Sequence, residues 1–444
     1  MELKDKRVMV IGLGVSGSAA AQFLAARGAR LIMTDQREDF PSAQLPAGDL
    51  RLGAETASWL DGVELVVASP GVAPGSTLMR AAAAARIAVI GELELAARFV
   101  TAPIVAVTGT NGKSTVTTLI GEIFTRAGLK TFVGGNLGTP LVAAMEGDFA
   151  VVVAEVSSYQ LETIAQFKPH VAAHLNLSAD HLDRYRSLGE YGAAKARIFA
   201  NQNAGDWAIL NRDDPHVWAL AKGLQARVLS FGHERPAAGA AVWCDADQIK
   251  FDIELDGRVR RGAISLKDFR LPGPHNRLNA MAASAAALAM EIPSAVIEAA
   301  LADFKGLPHR HEFVRERAGV RYVDDSKGTN VGAVIEALNA VAGPVVLIAG
   351  GVDKGGSYAP LRAALKDKVR LVILIGAARE KMREALSGAT AITAVETLAE
   401  AVAIAVREAV AGDTVLLSPA CSSFDQFKDY AERGRIYQEL VRAL

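Results

Sequence analysis

The 444-residue chain reads as α/β throughout, divided into three domains. Three observations predict this. Short runs rich in Val, Ile and Leu alternate with helical stretches along nearly the whole length, the pattern of parallel sheets covered by helices. Two glycine-rich loops, 12–17 and 109–115, each follow such a run and open a helix. The length also exceeds what one hydrophobic core usually serves. Boundaries fall near residues 98 and 306, giving units 1–98, 99–306 and 307–444.

Half the residues are hydrophobic and 22% are charged, with 48 basic and 49 acidic side chains and a formal charge of −1. No global basic field argues for nucleic acid. Cys244 and Cys421 are too few for a disulfide framework and suit a reducing cytoplasm. The start, "MELKDKRVMVIG", runs from charges into a strand without the apolar stretch of a signal peptide. "NAMAASAAALAM" (279–290) is Ala-rich and short for a membrane span, so it reads as a packed helix. The expectation is a cytoplasmic chain without nucleic-acid or membrane partners.

In the first unit, "RVMVI", "RLIMT", "VELVVAS" and "RIAVI" are the strands. Gly12, Gly14 and Gly17 stand in G-x-G-x-x-G spacing after the first of them, and Asp35 follows about 20 residues on, the dinucleotide fingerprint. Two readings are open. The loop holds a nicotinamide cofactor, or it holds the diphosphate of a substrate. In the second case Asp35 takes a nucleoside or sugar hydroxyl, with Arg37 beside it for a phosphate or carbonyl.

The second unit opens at "APIVAVTG" and continues through "FAVVVAEVSS" and "HVAAHLNLS". Within it, "QIKFDIELDGRVRR" alternates apolar and polar residues around Asp256-Gly257, a hairpin signal and an antiparallel insert. The strongest motif is "VAVTGTNGKSTVTTLIGEIF" (105–124). Gly109-Thr110-Asn111-Gly112-Lys113-Ser114-Thr115 turns a strand into a helix whose backbone N–H groups face an anion. Lys113 adds a point charge for the β- and γ-phosphates, and the Ser114 or Thr115 hydroxyl suits Mg²⁺. Val107 stands where the strict P-loop has its first glycine. An ATP-type loop here tilts the first loop toward a substrate diphosphate.

Further candidates follow in order. Glu155 ends a strand, where a carboxylate suits a hard cation; the alternative is a surface acid. Asp180, His181 and Asp183 in "LNLSADHLDRY" are metal or acid/base groups, or else a helix cap and a surface histidine. Lys195 lies four residues after Tyr191, on the face of Ile198 and Phe199, and by that pattern alone is a snorkelling lysine. Asn276 and Asn279 open a helix, as an N-cap or as amides for a purine or ribose. The third unit follows "FKGLPHRHEF", with strands "VRYVDD", "PVVLIAGG", "RLVILIGA" and "TVLLSPA".

Taken together, "TGTNGKST", "EVSSYQLE", "DHLDRY", "YGAAKARIF", "HNRLNA", "LPHRHEF", "DDSKGTN" and "SPACSSFDQFKDYAERG" resemble, in order and over nearly the whole chain, the Mur ligase family in its MurD type. The GKST and DHLD patterns are shared with other Mur ligases and with folylpolyglutamate synthases; the last two stretches look specific to the MurD type. The resemblance implies a Rossmann-like N-terminal domain, a central P-loop-type ATPase domain with a parallel sheet and a small antiparallel one, and a Rossmann-like C-terminal domain. It implies an ATP-dependent ligase of peptidoglycan precursor synthesis, joining D-glutamate to UDP-N-acetylmuramoyl-L-alanine through an acyl phosphate. The expected partners are small molecules only, and the expected state is a monomer.

Site residues carry over by the same resemblance. Gly14, Val15, Ser16, Asp35, Gln36, Arg37, Gly71, Asn136 and His181 would meet the UDP substrate. Residues 109–115 with Asn276, Asn279, Arg310 and Asp325 would meet ATP. Lys327, Thr329, Lys354, Ser423, Phe424 (through its backbone) and Tyr430 would meet D-glutamate. Ser114 and Glu155 would hold one Mg²⁺, and His181 and Lys195 a second. In the family the matching lysine carries a carbamate from CO₂, which makes it an oxygen ligand; Lys113, His181 and Lys195 are thus the implied catalytic set. Two departures stand out: Val352-Asp353 where Gly-Asp-Gly is familiar before the lysine, and Tyr430 where Phe is familiar. Cys421 reads as packing. The "DNPR" motif of diaminopimelate-adding relatives is absent, folate ligases generally lack the first unit, and no hydride-site pairing supports an oxidoreductase. The leading alternative is a related ligase with another acceptor; a non-catalytic nucleotide sensor stands level with the oxidoreductase.

Overall fold

The computed structural model describes residues 1–255 and 257–444. Its strands build three sheets. The first contains β1 (Arg7–Ile11), β2 (Arg30–Asp35), β3 (Asp49–Leu52), β4 (Leu65–Ala68) and β5 (Ala88–Gly91), all parallel in the order β3-β2-β1-β4-β5. The order reverses between β1 and β4, and ligands of such sheets bind outside the carboxyl ends of the strands at that switch. The first glycine loop sits there, leading into the helix Val15–Ala26. A Cβ on Gly17 would lie 1.8 Å from the Gly12 carbonyl oxygen, so only glycine lets this helix pack onto the loop. "DLRL", β3, escaped the sequence reading because a four-residue, half-polar edge strand carries little periodic signal.

The second sheet has nine strands: β6 (Ile104–Thr108), β7 (Thr131–Gly135), β8 (Val151–Glu155), β9 (Val171–His174), β10 (Trp207–Asn211), β11 (Arg227–Gly232), β12 (Ala240–Asp245), β13 (Gln248–Leu255) and β14 (Arg258–Ser265). Their order is β14-β13-β12-β11-β10-β9-β6-β8-β7. The parallel strands β6 and β8 are buried at every position, as a sheet covered on both faces requires. The expected antiparallel hairpin is present as β13–β14, and a further strand, β12, joins it edge to edge to the parallel sheet. Leu255 pairs with Arg258 across the expected hairpin; of its turn residues, Gly257 has φ +73° and Asp256 lies outside the described residues.

The third sheet comprises β15 (Glu312–Arg317), β16 (Val320–Asp324), β17 (Val345–Gly350), β18 (Val369–Ile375), β19 (Ala391–Ala394) and β20 (Thr414–Leu417). Only the β15–β16 pair is antiparallel; the order is β15-β16-β20-β17-β18-β19.

"NAMAASAAALAM" lies in the helix Pro274–Ala289, and its buried alanines pack in the core of the second sheet. No described helix is long and apolar enough to cross a membrane.

A short helix, Glu92–Ala97, fixes the first sheet to the second. The buried Glu94 carboxylate accepts the backbone N–H groups of Ala165 (2.8 Å), Gln166 (2.9 Å) and Phe167 (2.9 Å), and the Arg98 guanidinium at 2.8 Å. Four donors on one buried carboxylate are strong, charge-assisted bonds. Glu92 Oε1 accepts from Val142 N–H at 2.7 Å, while its Oε2 is buried without a partner among the described residues.

Candidate active site

The second glycine loop follows β6, at the switch between β8 and β9, and leads into the helix Lys113–Arg126. Gly112 takes φ +84° as the helix N-cap, and a Cβ there would lie 2.4 Å from Asn279 Oδ1. This glycine therefore answers both a left-handed turn and a close approach by the helix Pro274–Ala289. Asn279 donates to Asn276 Oδ1 at 3.1 Å, and Asn276 donates to the Pro272 carbonyl at 2.7 Å. Asn276 is not the N-cap: Gly273 holds that position with Pro274 at the first helical residue, which leaves the Asn276 amide free to bond backward.

Lys113 Nζ donates to the carbonyls of Gly109 (2.9 Å) and Thr110 (2.8 Å). Burial lowers its pKa, opposed by the charges of Glu155 and Asp180. Lys195 is 1% exposed and donates to the same Gly109 carbonyl at 2.8 Å, 4.6 Å from the Tyr191 ring centroid. It does not snorkel to solvent, because its helix face is covered and its tip ends under the loop. Burial, then the neighbouring Lys113, pushes its pKa far down.

Glu155 is buried, which rules out the surface-acid reading. Its Oε1 accepts from Asn136 at 2.6 Å, and its Oε2 has no partner among the described residues. Burial would raise this carboxyl, but Lys113, the Ser114 hydroxyl and the Asn136 amide outweigh it and hold it below the usual range. A charged carboxylate with one free buried oxygen, near a hydroxyl, fits a hard cation such as Mg²⁺.

Asp180 is buried, and His181 takes the left-handed φ of 55°. His181 Nδ1 lies 2.9 Å from the Tyr159 hydroxyl, and its Nε2 lies 3.8 Å from Asp180 Oδ2. Burial lowers His181, so it carries a neutral, metal-competent ring. Asp183 engages neither Asp180 nor His181 by a hydrogen bond.

The third unit closes onto this loop. Arg310 donates to Ser114 Oγ at 2.8 Å. Asn330 donates to Asn111 Oδ1 (3.0 Å) and Asp180 Oδ2 (3.1 Å), and Lys354 Nζ lies 3.4 Å from Asp180 Oδ1 and 3.3 Å from Thr329 Oγ1. Two cavities result. One, of about 300 Å³, is lined by Asn111, Gly112, Thr115, Asn276, Asn279, Arg310, Asp325 and Lys327. The other, of about 190 Å³, is lined by Asp180, Thr329, Asn330, Lys354 and Tyr358. Burial pushes the Asp325 carboxyl up to about 7, where it accepts from Ser418 at 2.6 Å. Lys327 Nζ sits 3.6 Å from the Tyr430 ring centroid, and burial followed by Arg310 brings it down to about 7.

The remaining sequence candidates are more scattered. Ser423 is buried and Phe424 is 73% exposed. Neither lines the smaller cavity, whereas Val352 and Ser422 bridge the two loops that carry Lys354 and Ser423. In the first unit Val15 is 72% exposed and Gly14 has open space around it. Gln36 reaches Glu55 at 3.3 Å, and Gly71 is exposed. Asp35 is occupied by its own chain: it accepts from Leu13 N–H (2.8 Å) and from Arg37 (2.7 and 2.8 Å). The Arg37 bond, partly offset by burial, lowers it to about 2. Asn136 belongs to the Glu155 cluster rather than to the glycine loop.

Two site-shaping residues went unread. Asn330 is the bridge between units. Arg433 is 1% exposed and binds Ser326 Oγ (2.9 Å), Ser326 O (2.8 Å) and Cys421 O (3.3 Å), tying "DSKGTN" to "SPACSS". Both lie inside motifs, but nothing in a single sequence separates a buried arginine from a solvated one.

Family models match consecutive parts of the chain: the MurD-like N-terminal domain of Mur ligases over residues 6–91, the Mur ligase middle domain over 107–287, and the Mur ligase glutamate ligase domain over 309–421. A UDP-N-acetylmuramoylalanine--D-glutamate ligase of Geotalea uraniireducens is 47% identical, covering 100% of this chain and 99% of that one. A protein of the same name from Pelotomaculum thermopropionicum is 46% identical with the same coverage. Among solved structures, a pseudomurein peptide ligase type C from Methanothermus fervidus superposes with a TM-score of 0.62 at 20% identity, over 99% of this chain and 100% of that one. The UDP-N-acetylmuramate-alanine ligase MurC from Thermotoga maritima gives 0.61 at 19%, over 98% and 99%. The two structures share the fold, and the two sequence relatives share the chain from end to end: this protein belongs to the Mur ligase family.

Proposed function

We propose that this chain is an ATP-dependent ligase that joins D-glutamate to UDP-N-acetylmuramoyl-L-alanine, releasing ADP and phosphate, in cytoplasmic peptidoglycan precursor synthesis. Full-length similarity to relatives of that name supports the substrates. One observation supports the chemistry: Asn330 and Asp180 form a wall shared by the phosphate-loop region and the smaller cavity beside Lys354. An acyl phosphate made on one side is then within reach of an amine held on the other. The units are residues 1–98 for the UDP substrate, 99–306 for ATP and 307–444 for the amino acid.

A carboxylate and an ammonium do not condense in water, because the leaving group is poor and the amine is protonated. Activation solves the first difficulty: the substrate carboxylate attacks the γ-phosphorus, the bond to ADP breaks, and phosphate becomes the leaving group. Such a transfer needs alignment and charge neutralisation. Lys113 exchanges its carbonyl partners for phosphate oxygens, and Arg310 faces the same anion. Asn276, Asn279 and Asp325 take the adenosine. Lys327, Thr329, Lys354, Ser423, Tyr430 and the Phe424 backbone take D-glutamate, whose free amine then attacks the acyl carbon. Gly14, Val15, Ser16, Asp35, Gln36, Arg37, Gly71, Asn136 and His181 take the UDP substrate.

Mg²⁺, when bound, neutralises the phosphate oxygens. Ser114, with Thr115 beside it, and Glu155 are the donors for one ion, and His181 with Lys195 for a second. A cation is no metal ligand, so Lys195 serves as a carbamate; its burial under the Gly109 carbonyl favours the neutral amine that reacts with CO₂. The unpaired cysteines fit the reducing compartment, and the working state is a monomer. Phosphate release with ATP, Mg²⁺ and UDP-N-acetylmuramoyl-L-alanine, scanned over amino acids, tests the reading. D-Glu alone should support turnover; equal use of L-Glu or a diamino acid would move the chain to a sister ligase.

A further inference from the structure

We infer that His174, with Thr108 beside it, is a positioning residue that hydrogen-bonds the carbamate on Lys195; the inference rests on the carbamate reading above. His174 ends β9 and Thr108 ends β6, and the two are register partners in neighbouring strands. His174 is 1% exposed and Thr108 is fully buried. Neither ring nitrogen of His174 nor the Thr108 hydroxyl has a hydrogen-bond partner among the described residues. Buried polar groups are nearly always paired, so three orphans at one register position call for a polar group supplied from outside these strands.

Strand alternation says which group can reach them. Ala106 and Ala172 lie two positions before Thr108 and His174, hence on the same face. Both pack in the cluster that holds Ile198 and Phe199. Those residues follow Lys195 by three and four positions, on one side of its helical stretch. Lys195, Thr108 and His174 therefore share one face of the sheet, beneath the second glycine loop. Glu155 alternates with Val151 and Val153 onto the opposite face, so it does not compete for these donors. Lys195 is the foremost charge acting on the imidazole, ahead of Lys113.

Before carbamate forms, burial, reinforced by those two lysines, lowers His174 to about 3. The ring is neutral, with one N–H donor and one acceptor nitrogen. A neutral N–H donor suits a carbamate oxygen. The chemistry balances without a further reagent. The neutral Lys195 nitrogen attacks the carbon of CO₂ and an N–C bond forms. One C=O electron pair moves onto oxygen, and the nitrogen's proton leaves to solvent. One carbamate oxygen would be left free to hold a cation, and the other accepts from the His174 N–H and the Thr108 hydroxyl.

The test is ¹³C NMR of the full-length protein titrated with ¹³C-bicarbonate in Mg²⁺ buffer without ATP, following the carbamate carbon. His174→Leu should need about tenfold more bicarbonate for half-occupancy, the scale of one hydrogen bond to a charged group. His174→Gln, which keeps an N–H donor, should stay within about threefold of the wild type. In CO₂-free buffer, where no carbamate forms, the melting temperature of His174→Leu should be unchanged or higher, because an unpaired buried polar group is removed; a purely structural histidine would show the reverse pattern. If His174→Leu fails to fold, His174→Gln against Thr108→Val carries the comparison, with only the valine variant shifted. Wild-type carbamate with equal bicarbonate dependence in the variants overturns the role of His174. No wild-type carbamate at any bicarbonate concentration overturns the Lys195 reading itself.

Discussion

Lys113 and Lys195 converge on one oxygen: their amines donate to the Gly109 carbonyl at 2.9 and 2.8 Å. They arrive from opposite faces of the sheet, one from the helix packed in the core around Ile120 and the other from the stretch around Ile198. Two ammonium groups on one buried acceptor repel strongly, since the interior screens charge poorly. Burial acts against a charge on both amines and Glu155 and Asp180 support both, but Lys113 also acts against Lys195, which falls further below its usual value. Lys195 is the amine whose charged form this site disfavours more strongly.

The first prediction follows from that asymmetry. Lys195→Ala should fold and lose about 100-fold or more in turnover, the scale of removing one preorganised charge partner. A short carboxylic acid such as acetate should restore part of it. CO₂-free buffer should slow the wild type, and bicarbonate should restore it. Phosphate-release assays at controlled CO₂ check this; indifference of the wild type to CO₂ would sink it.

Lys354 meets Asp180 of the second unit and Thr329 of its own, beside the smaller cavity, so its removal should act on the acceptor rather than on ATP. Charge-assisted bonds contribute about 1.5–3 kcal/mol, which corresponds to a rise of roughly 10- to 100-fold in KM for D-Glu in Lys354→Ala. KM for ATP should change by no more than about threefold by the same reasoning. Initial rates over a grid of both substrates decide; parallel losses would place Lys354 at the phosphates.

How legible this site was depends on the kind of signal each residue gives. Lys113 and Glu155 were readable because strand, loop and helix follow one another in sequence and their spacing fixes where the side chains go. In "GGVDKGG", Val352 bridges Ser422 and Lys354 meets Asp180, contacts that the unfamiliar Val352-Asp353 pair did not foretell. Lys195 illustrates the limit. Its helical face was read as semi-apolar, but only the fold tells whether the amine at its end reaches water or a buried carbonyl. Asn330, Arg433 and His174 depend on contacts between segments far apart in the chain, and no local pattern encodes those. The edge strands β3, β7, β15 and β19 were missed because short, partly exposed strands lack a continuous apolar run, and β10, β11 and β12 went unread as well, although β10 is buried throughout.

Asp35 separates the two readings of the first glycine loop. It already accepts from Leu13 and Arg37, so it shapes the loop as well as facing any ligand. Asp35→Ala should weaken UDP-sugar binding by about tenfold, the scale of one or two lost hydrogen bonds. The wild type should bind UDP and not NADH. Because its folded pKa is lowered to about 2, the stability that Asp35 contributes is present above pH 4 and lost as pH falls toward 2. Calorimetric titration with UDP and NADH checks the binding; tight NADH binding would revive the oxidoreductase.

Glu92 gives a prediction with the opposite pH sign. Burial raises its carboxyl to about 7, against the lowering effect of the Val142 and Leu141 backbone bonds. A carboxyl whose folded pKa exceeds its unfolded one holds its proton more tightly in the folded state. It adds no cost below about pH 4.5, where both states are protonated, and destabilises the fold increasingly as pH climbs toward 7. Glu92→Gln keeps an oxygen for the Val142 N–H and removes the ionisation. Its stability gain should be on the order of 1–3 kcal/mol at pH 8 and should vanish near pH 4.5. Urea unfolding of both proteins across that range measures it. A gap that stays constant with pH, or that widens in acid, would mean that Glu92 is ionised in the fold and that its unpaired Oε2 has a partner.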